Sequence, residues 1–597
     1  MRNILLPFLL PSFIFSQEVL TDLSSNPVLL DVKWESSLSK STIVLPFIDD
    51  FSYNSSVVDP DLWQQSSVFV NRTYPINPPT IGVATFDGLD EYGLARDIIS
   101  QSNLSEPSDT LLSQEINLAG LNSVYFMFYL QGKGIGNEPE TGDSLVLEFL
   151  NNSLVWEQIW SSHVTNTTMQ EFEKVVEVID EQRFLHNSFQ FRFRNYATIS
   201  GNFDHWHIDY IKLDELLSSV DTTELDDISF VYNSPSFLSR YSEMPWQHFL
   251  NNEESELKDS IDILIRNNDA SINVDYQYNV FEGNNLLETF PNTGAGWRNY
   301  SIQDFNLIGN FSHNPTLTIN NLIFNSFQID SATFIIQNII KTSNSDNKNN
   351  DTLYHTQDFY SYFAYDDGTA ESAYGINING AKLAYEFKLN RPDTIRAVQM
   401  YFPQMLDTVN DIDFNLTIWN KINGLPGDTL YSQTVSPVHT ENGMYHTYYI
   451  ERPFQLVGTF YVGWEQTTND LLNIGLDKNN EANQYMYYNS GAGWAMSSYL
   501  GSWMIRPVVS TEQIVSVVVD MNPSFRVYPN PTSETIIIHS EIDKNHISIY
   551  NIQGVLVKEM YTLDCITRIN IIDLSPGVYF INVSNTRDRQ YQKFIIK

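Results

Sequence analysis

Cysteine is nearly absent: the 597 residues hold one, Cys565. A single thiol closes no intramolecular disulfide, and it excludes both a Cys-rich zinc site and a CxxC redox pair. Long chains do without such staples, because they bury enough surface to hold their cores. Basic residues are scarce too, 33 Lys and Arg against 72 Asp and Glu, for a formal net charge of −39. A field of that sign repels nucleic acid and anionic membranes. It suits solubility outside the cell and attracts cations such as calcium, although a plain solvated acidic surface accounts for the same counts. Long apolar runs are missing as well. No stretch after the leader approaches the ~18 apolar residues of a spanning helix, so no transmembrane segment is expected. Finally, no GxSxG, HExxH, P-loop or dinucleotide fingerprint occurs. A glycosidase carboxylate pair is defined by its separation in space, so it is not legible either way.

What is present is apolar and aromatic. At 42% hydrophobic and 13% aromatic, the chain has ample material for packed cores. At about 150 residues per domain its length predicts roughly four. Arg2, the apolar run from Ile4 to Phe15 and the small residue Ser16 read as a signal peptide over residues 1–16, with Gln17 as the mature start. No cysteine follows it, so a lipoprotein anchor is not expected.

Short alternating runs dominate the rest. Phe189-Gln190-Phe191-Arg192-Phe193-Arg194 sets aromatics against polar groups with period two, the pattern of a half-buried strand. Many such runs between Asn, Gly, Asp and Pro clusters predict an all-β, multidomain chain of β-sandwiches. The boundaries fall at 45–213, 229–351, 352–513 and 523–597. Acidic, Ser-rich residues 214–228 read as a linker, and the polar tract 343–351 as either a linker or a long hairpin loop. A GAGW string occurs at 294–297 and again at 491–494, too short to establish a repeat. Residues 229–351 read as an immunoglobulin-like spacer.

The C-terminal segment carries the most specific pattern. Val527-Tyr528-Pro529-Asn530-Pro531 precedes an apolar strand at 535–539. Ile547-Ser548-Ile549-Tyr550-Asn551-Ile552-Gln553-Gly554 and Leu574-Ser575-Pro576-Gly577-Val578-Tyr579-Phe580-Ile581 follow, and the chain closes on Lys593-Phe594-Ile595-Ile596-Lys597. The prolines block strand pairing at the entrance, Gly554 permits a tight turn, and Pro576-Gly577 marks another. In this order the motifs resemble the type A C-terminal sorting domain of the type IX (Por) secretion system of the Bacteroidetes. The resemblance implies a small β-sandwich read by the secretion machinery as an address. It also implies cleavage on export, frequent attachment to a surface lipopolysaccharide, and a secreted or outer-membrane-surface location.

Asp50-Phe51, Trp63, the run Gly82 to Gly88, the run Gly142 to Phe149, and Asp204-His205-Trp206-His207-Ile208-Asp209-Tyr210 resemble MAM or concanavalin A-like jelly rolls. That likeness implies that a first-strand acid, Asp50, and a last-strand acid, Asp209, meet at a sandwich edge and hold calcium with further oxygen ligands. His205, His207 and Asp209 also suit zinc chemistry. The better account of them is a terminal strand with a polar outer face, Trp206, Ile208 and Tyr210 facing inward. In the third module, the run Tyr362 to Glu371, the run Gly458 to Gln466 and Ile474-Gly475-Leu476-Asp477 resemble another jelly roll of type IX-exported proteins. Trp464, Trp494 and Trp503 read either as a sugar-stacking platform or as core.

Taken together, these features predict a non-catalytic surface protein that binds glycans or extracellular matrix and acts in adhesion. The alternatives are a structural component of a surface, gliding or biofilm assembly, and a secreted polysaccharide- or peptide-degrading hydrolase.

Overall fold

The computed structural model describes the chain except residues 1–17, 31–41, 98–104, 163–170, 219–220, 222–224, 226, 259–260, 269–271, 292–297, 303–307, 314–330, 343–345, 405–410, 441–444, 510–524, 531, 534, 541–544, 552–555, 563–565 and 585–588. The expected leader, Pro531, Gly554 and Cys565 lie outside the described residues. Strand makes up 54% of the chain and helix 3%, so the protein is an all-β, multidomain chain of β-sandwiches. It divides into two compact units, Met1–Thr511 and Glu512–Lys597.

The first sandwich of the larger unit packs a six-stranded sheet on a five-stranded one. Across the six-stranded sheet run Glu173–Ile179, Val124–Gly132, Trp206–Glu215, Val83–Phe86 and Phe69–Asn71, with Phe47–Asp49 also paired to Trp206–Glu215. Across the other run Trp63–Ser66, Glu106–Ser113, Phe191–Ala197, Ser144–Leu150 and Trp156–Ser161. Phe191 and Phe193 point into the core, while Arg192 and Arg194 face out and pair with Glu148. The core is aromatic: Phe126 meets Phe191 edge-on at 4.6 Å, and Phe47 meets Trp63 at 5.4 Å.

One irregularity shapes the edge of this sandwich. Between Asp209 and Lys212 the pairing with Val124–Gly132 shifts register, and Tyr210 takes a φ of 50°. The inserted residue reverses the alternation. Trp206 and Ile208 face the core before it, and Ile211 and Leu213 after it. Tyr210 turns to the opposite face, against Tyr125, Met127 and Leu225. The expectation that Tyr210 shares a face with Trp206 and Ile208 is corrected by this bulge.

In the second sandwich, Ile228–Phe230, Ile261–Asn267 and Ile308–His313 form one sheet. The other holds Asn285–Phe290, Ile272–Glu282, Ala332–Lys341 and Thr352–Phe359, with Arg298–Ile302 added on Ile272–Glu282. Thr352–Phe359, which sequence boundaries give to the third module, pairs antiparallel with Ala332–Lys341. The polar tract between these strands is therefore a hairpin loop.

The third sandwich is built on Lys382–Lys388, Phe414–Ile422 and Thr459–Gln466 in one sheet, and on His446–Leu456, Asp393–Met400 and Ile505–Val509 in another. One hydrophobic core runs without a break from the second sandwich into the third. A further four-stranded sheet joins Ser372–Ile376, Leu472–Asp477 and Ser502–Trp503 to Glu18–Thr21, the first described strand of the chain. The larger unit is thus tied together along its length.

The smaller unit packs Phe525–Tyr528, Thr535–Ser540 and Ile566–Asn570 against Leu556–Thr562, Asn545–Asn551, Gly577–Ser584 and Arg589–Ile596. In Gly577–Ser584, Tyr579, Ile581 and Val583 are buried, and Phe580 is exposed on the other face. The first strand stops at Tyr528, where Pro529 removes the next ladder donor.

Candidate functional site

The two aspartates expected at the sandwich edge do meet there. Asp50 directly follows the Phe47–Asp49 strand, which pairs with Trp206–Glu215 and so brings Asp50 beside Asp209. Thr80 joins them. Its N–H donates to Asp209 Oδ2 at 2.8 Å, its hydroxyl lies 2.9 Å from Asp209 Oδ1, and the same hydroxyl lies 3.2 Å from the Asp50 carbonyl. Both carboxylates are buried. Burial pushes Asp209 well above the usual carboxylate range, and the Asp50 charge adds to that. Burial raises Asp50 as well, against the donors of Ser52. Asp50 also accepts from the side-chain amides of Asn347 at 2.7 Å and Asn350 at 3.0 Å, both on the hairpin loop of the second sandwich. Among the described residues, no three His, Cys, Asp or Glu side chains are placed together to hold a metal.

His205 and His207 are not on an outer face. The strand that carries His207 is central, and both rings are buried beneath Tyr74 and the segment 133–137. Asn137 N–H donates to His205 Nδ1 at 2.7 Å, and His205 Nε2 lies 2.6 Å from Asn202 Oδ1. His207 Nε2 lies 3.1 Å from the Lys133 carbonyl, and its Nδ1 lies 2.8 Å from the Thr85 hydroxyl. All four ring nitrogens are thus engaged by the protein, which leaves none for zinc. Burial, with the neighbouring His207 adding to it, pushes His205 down to about 3, and burial pushes His207 down to about 4. The legible sign of this cover was Gly134 and Gly136. A Cβ at Gly136 would sit 2.3 Å from His205 Nδ1, and one at Gly134 would sit 2.6 Å from His207 Nε2.

The three tryptophans share no platform. Trp464 packs in the core against Phe402 and Phe414, and Trp503 against Tyr374 and Tyr385. Both are fully buried, whereas Trp494 is partly exposed and stands edge-on to Trp419. The sugar-platform reading is corrected: large aromatic rings fill these sandwiches.

A cleft of about 460 Å³ opens between the first and third sandwiches. Tyr53, Arg72 and Tyr74 line it from one side, and Thr369, Glu371 and Tyr401 from the other. The acidic turn there is held by its own donors. Thr369 N–H donates to Asp367 Oδ1 at 2.9 Å, Asp367 N–H to Asp477 Oδ2 at 2.8 Å, and Lys478 N–H to Glu371 Oε2 at 2.9 Å. Burial, reinforced by the Asp367 carboxylate, pushes Glu371 up to about 8. The Glu371 carboxyl thus lines the cleft with both of its oxygens held, Oε2 by Lys478 N–H and Oε1 by the Thr369 hydroxyl. The sequence displays this acidic string, but only the fold brings it to Arg72 and Tyr74.

In the smaller unit, the YPNP end is clipped to the last strand. Ile595 N–H donates to Asn530 Oδ1 at 2.9 Å, and Asn530 Nδ2 donates to the Lys593 carbonyl at 3.2 Å. Thr532 N–H donates to the Ile595 carbonyl and Lys597 N–H to the Thr532 carbonyl. Tyr528 and Pro529 stay exposed beside this clip, and Gly577 opens the strand that follows the SPG turn. Residues 526–597 match the secretion system C-terminal sorting domain family. The protein is secreted or displayed at the outer-membrane surface, and its tail engages the type IX machinery. The tail holds eight Lys and Arg against seven Asp and Glu, so the acidic excess of the chain lies ahead of it. No helix among the described residues is long and apolar enough to cross a membrane.

No match was found among curated proteins. Similar solved structures include PorZ of Porphyromonas gingivalis, a surface component of the type IX secretion system. It is 15% identical with a TM-score of 0.12, over 22% of this chain and 17% of that one. They include the tandem CBM22 domains of Paenibacillus barcinonensis Xyn10C, 9% identical with a TM-score of 0.19, over 80% of this chain and all of that one. They also include the Endo-D glycoside hydrolase domain of Streptococcus pneumoniae, 10% identical with a TM-score of 0.20, over 53% and 43%. The chain thus spans 17% of PorZ, and none of these likenesses bears on the site.

Proposed function

We propose that the larger unit is a non-catalytic binding protein for surface or matrix glycans, carried outside the cell by its sorting tail. The cleft between the first and third sandwiches carries this reading. Its volume of about 460 Å³ falls within the range of small-ligand sites, roughly 300–1,000 Å³. Its lining combines the flat rings and phenol groups of tyrosines with a guanidinium, amides and a carboxyl. Polyhydroxylated rings need that mixture of apolar faces and directional hydrogen bonds. The Glu371 carboxyl, whose proton affinity burial raises, adds a further polar group to that lining.

The test is a glycan and polysaccharide array probed with the full chain and with Arg72→Gln. Binding to one coherent glycan class, weakened at least tenfold in the variant, is the expected result. Absence of binding by the native chain, or equal binding by the variant, overturns the reading.

A further inference from the structure

The cleft between the first and third sandwiches holds more unused donors than acceptors. Arg72 stands in its wall, half-buried, with its guanidinium anchored at one end. Nη2 donates to the Ser52 carbonyl, and Nη1 reaches Asn233 Oδ1 at 3.5 Å. Its other N–H groups meet no acceptor among the described residues. Arg96, Arg192, Arg194, Arg240 and Arg506 each rest against a carboxylate, and Arg72 does not. Asp50 acts on it only through space, its own carboxyl oxygens being taken by Ser52, Asn347 and Asn350. Burial lowers the proton affinity of the guanidinium, as expected of a cation that has lost water without gaining a contact ion.

Two phenols add to the surplus. Tyr401 is 6% exposed, lines the cleft, and has no partner for its hydroxyl among the described residues. Gly475 leaves room for its ring, since a Cβ there would stand 2.7 Å from it. The Tyr74 hydroxyl accepts from Asn202 Nδ2 at 3.3 Å, which leaves its own proton unused. The acceptors of the cleft are, by contrast, engaged. Lys478 N–H and the Thr369 hydroxyl hold the two oxygens of Glu371. Asn71 Oδ1 accepts from the N–H groups of Thr73 and Tyr74, and Asn202 Oδ1 faces His205 Nε2.

We infer that the ligand of this cleft is an anionic sugar, its acid group seated on the free side of the Arg72 guanidinium and the Tyr74 and Tyr401 hydroxyls donating to its oxygens. This rests on the reading of the larger unit as a glycan-binding protein. A guanidinium meets a carboxylate or sulfate with two parallel N–H···O bonds, a fit no neutral hydroxyl reproduces. A neutral sugar would cover the cation and leave its charge without compensation. The net charge of −39 works against a densely charged polymer, so the ligand carries its acid groups singly among neutral residues. Uronic acids and sulfate esters offer the same chemistry, and the test separates them.

The full chain is applied to an array of oligosaccharides printed as matched twins: oligouronates beside their methyl esters, and sulfated galactan fragments beside desulfated ones. Affinities for the bound twins are then measured by titration calorimetry. The charged twin is expected to bind about tenfold tighter or more. Which pair shows the preference tells carboxylate from sulfate. Arg72→Gln should bring the charged twin down to the level of the neutral one, and Arg72→Lys, which keeps the charge but loses the planar fork, should fall between. Equal affinity for both twins overturns the anionic assignment and leaves glycan binding standing. A preference that survives in Arg72→Gln places the acid group elsewhere and overturns it as well. No binding to any sugar overturns both readings.

Discussion

The side-chain amide of Asn530 is bonded to the backbone of Ile595, accepting its N–H at 2.9 Å, and through its other end to the carbonyl of Lys593. The first sorting motif is thereby built into the last strand, although 65 residues separate the two. Asn530→Ala removes both bonds at an exposed position, at a cost of about 1 kcal/mol. Exchange of the Ile595 amide should speed up about fivefold to tenfold in the full chain, measured by NMR or mass spectrometry. Unchanged exchange would show that the strand holds without the clip.

Deleting residues 526–597 removes the segment that matches the sorting domain. The remaining chain should accumulate folded inside the cell and be absent from the medium and the outer surface. Fractionation with surface proteolysis measures this. Normal surface delivery of the truncated chain would refute the role assigned to the tail.

Thr80 reaches both the Asp50 carbonyl and the Asp209 carboxyl through one hydroxyl. Thr80→Val keeps the shape and the backbone N–H but strips the hydroxyl from a buried carboxyl, a loss of about 1–3 kcal/mol. Thr80→Ser should restore most of it. Urea unfolding of the three proteins distinguishes this from a packing effect, which Val would preserve and Ser would not.

Stability should depend on pH in two opposite ways. Glu371 titrates at about 8 in the fold against 4.5 in the free chain. The folded state therefore holds its proton more tightly, a contribution present below about 4.5 and lost as pH rises to 8. The limiting slope is about 1.4 kcal/mol per pH unit. His205 and His207 act in reverse: folded values of about 3 and 4 lie below the free 6.5. Their contribution is present above 6.5 and lost as pH falls. Melting temperature measured from pH 5 to 8 should fall less steeply in Glu371→Gln than in the native chain. Parallel curves would show that Glu371 is ionised throughout.

Trp464→Ala empties a fully buried site and should cost about 3–5 kcal/mol. Trp494→Ala, at a partly exposed rim, should cost about 1 kcal/mol or less. Equal losses measured by denaturant unfolding would contradict the burial of Trp464.

Strands were legible in the sequence where alternation was strict. Phe191 and Phe193 face inward as their spacing requires, and so do Tyr579, Ile581 and Val583. The bulge at Tyr210 was not legible, because a register shift depends on the partner strand. The pairing of Asp50 with Asp209 was accessible from likeness to other sandwiches. The approach of Asn347 and Asn350 to Asp50 was not, since it comes only through contact between sandwiches far apart in sequence. The histidines misled for a related reason: polar residues at alternate positions normally mark a wet face, and here a glycine-bearing segment covers them. The acidic turn at Asp367 and Glu371 was visible as a string, but Arg72, which lines the same cleft, lies some 300 residues earlier.

Glu18–Thr21 completes a sheet whose other strands come from 372–376, 472–477 and 502–503. The order of assembly follows from that. A chain emerging N-terminus first cannot pair this strand until residue 376 has been made, and closing so long a loop is slow. A prefix ending before residue 370 would leave that strand with a bare edge, an invitation to wrong pairing. The late arrival of the closing strands thus makes the larger unit succeed or fail as a whole.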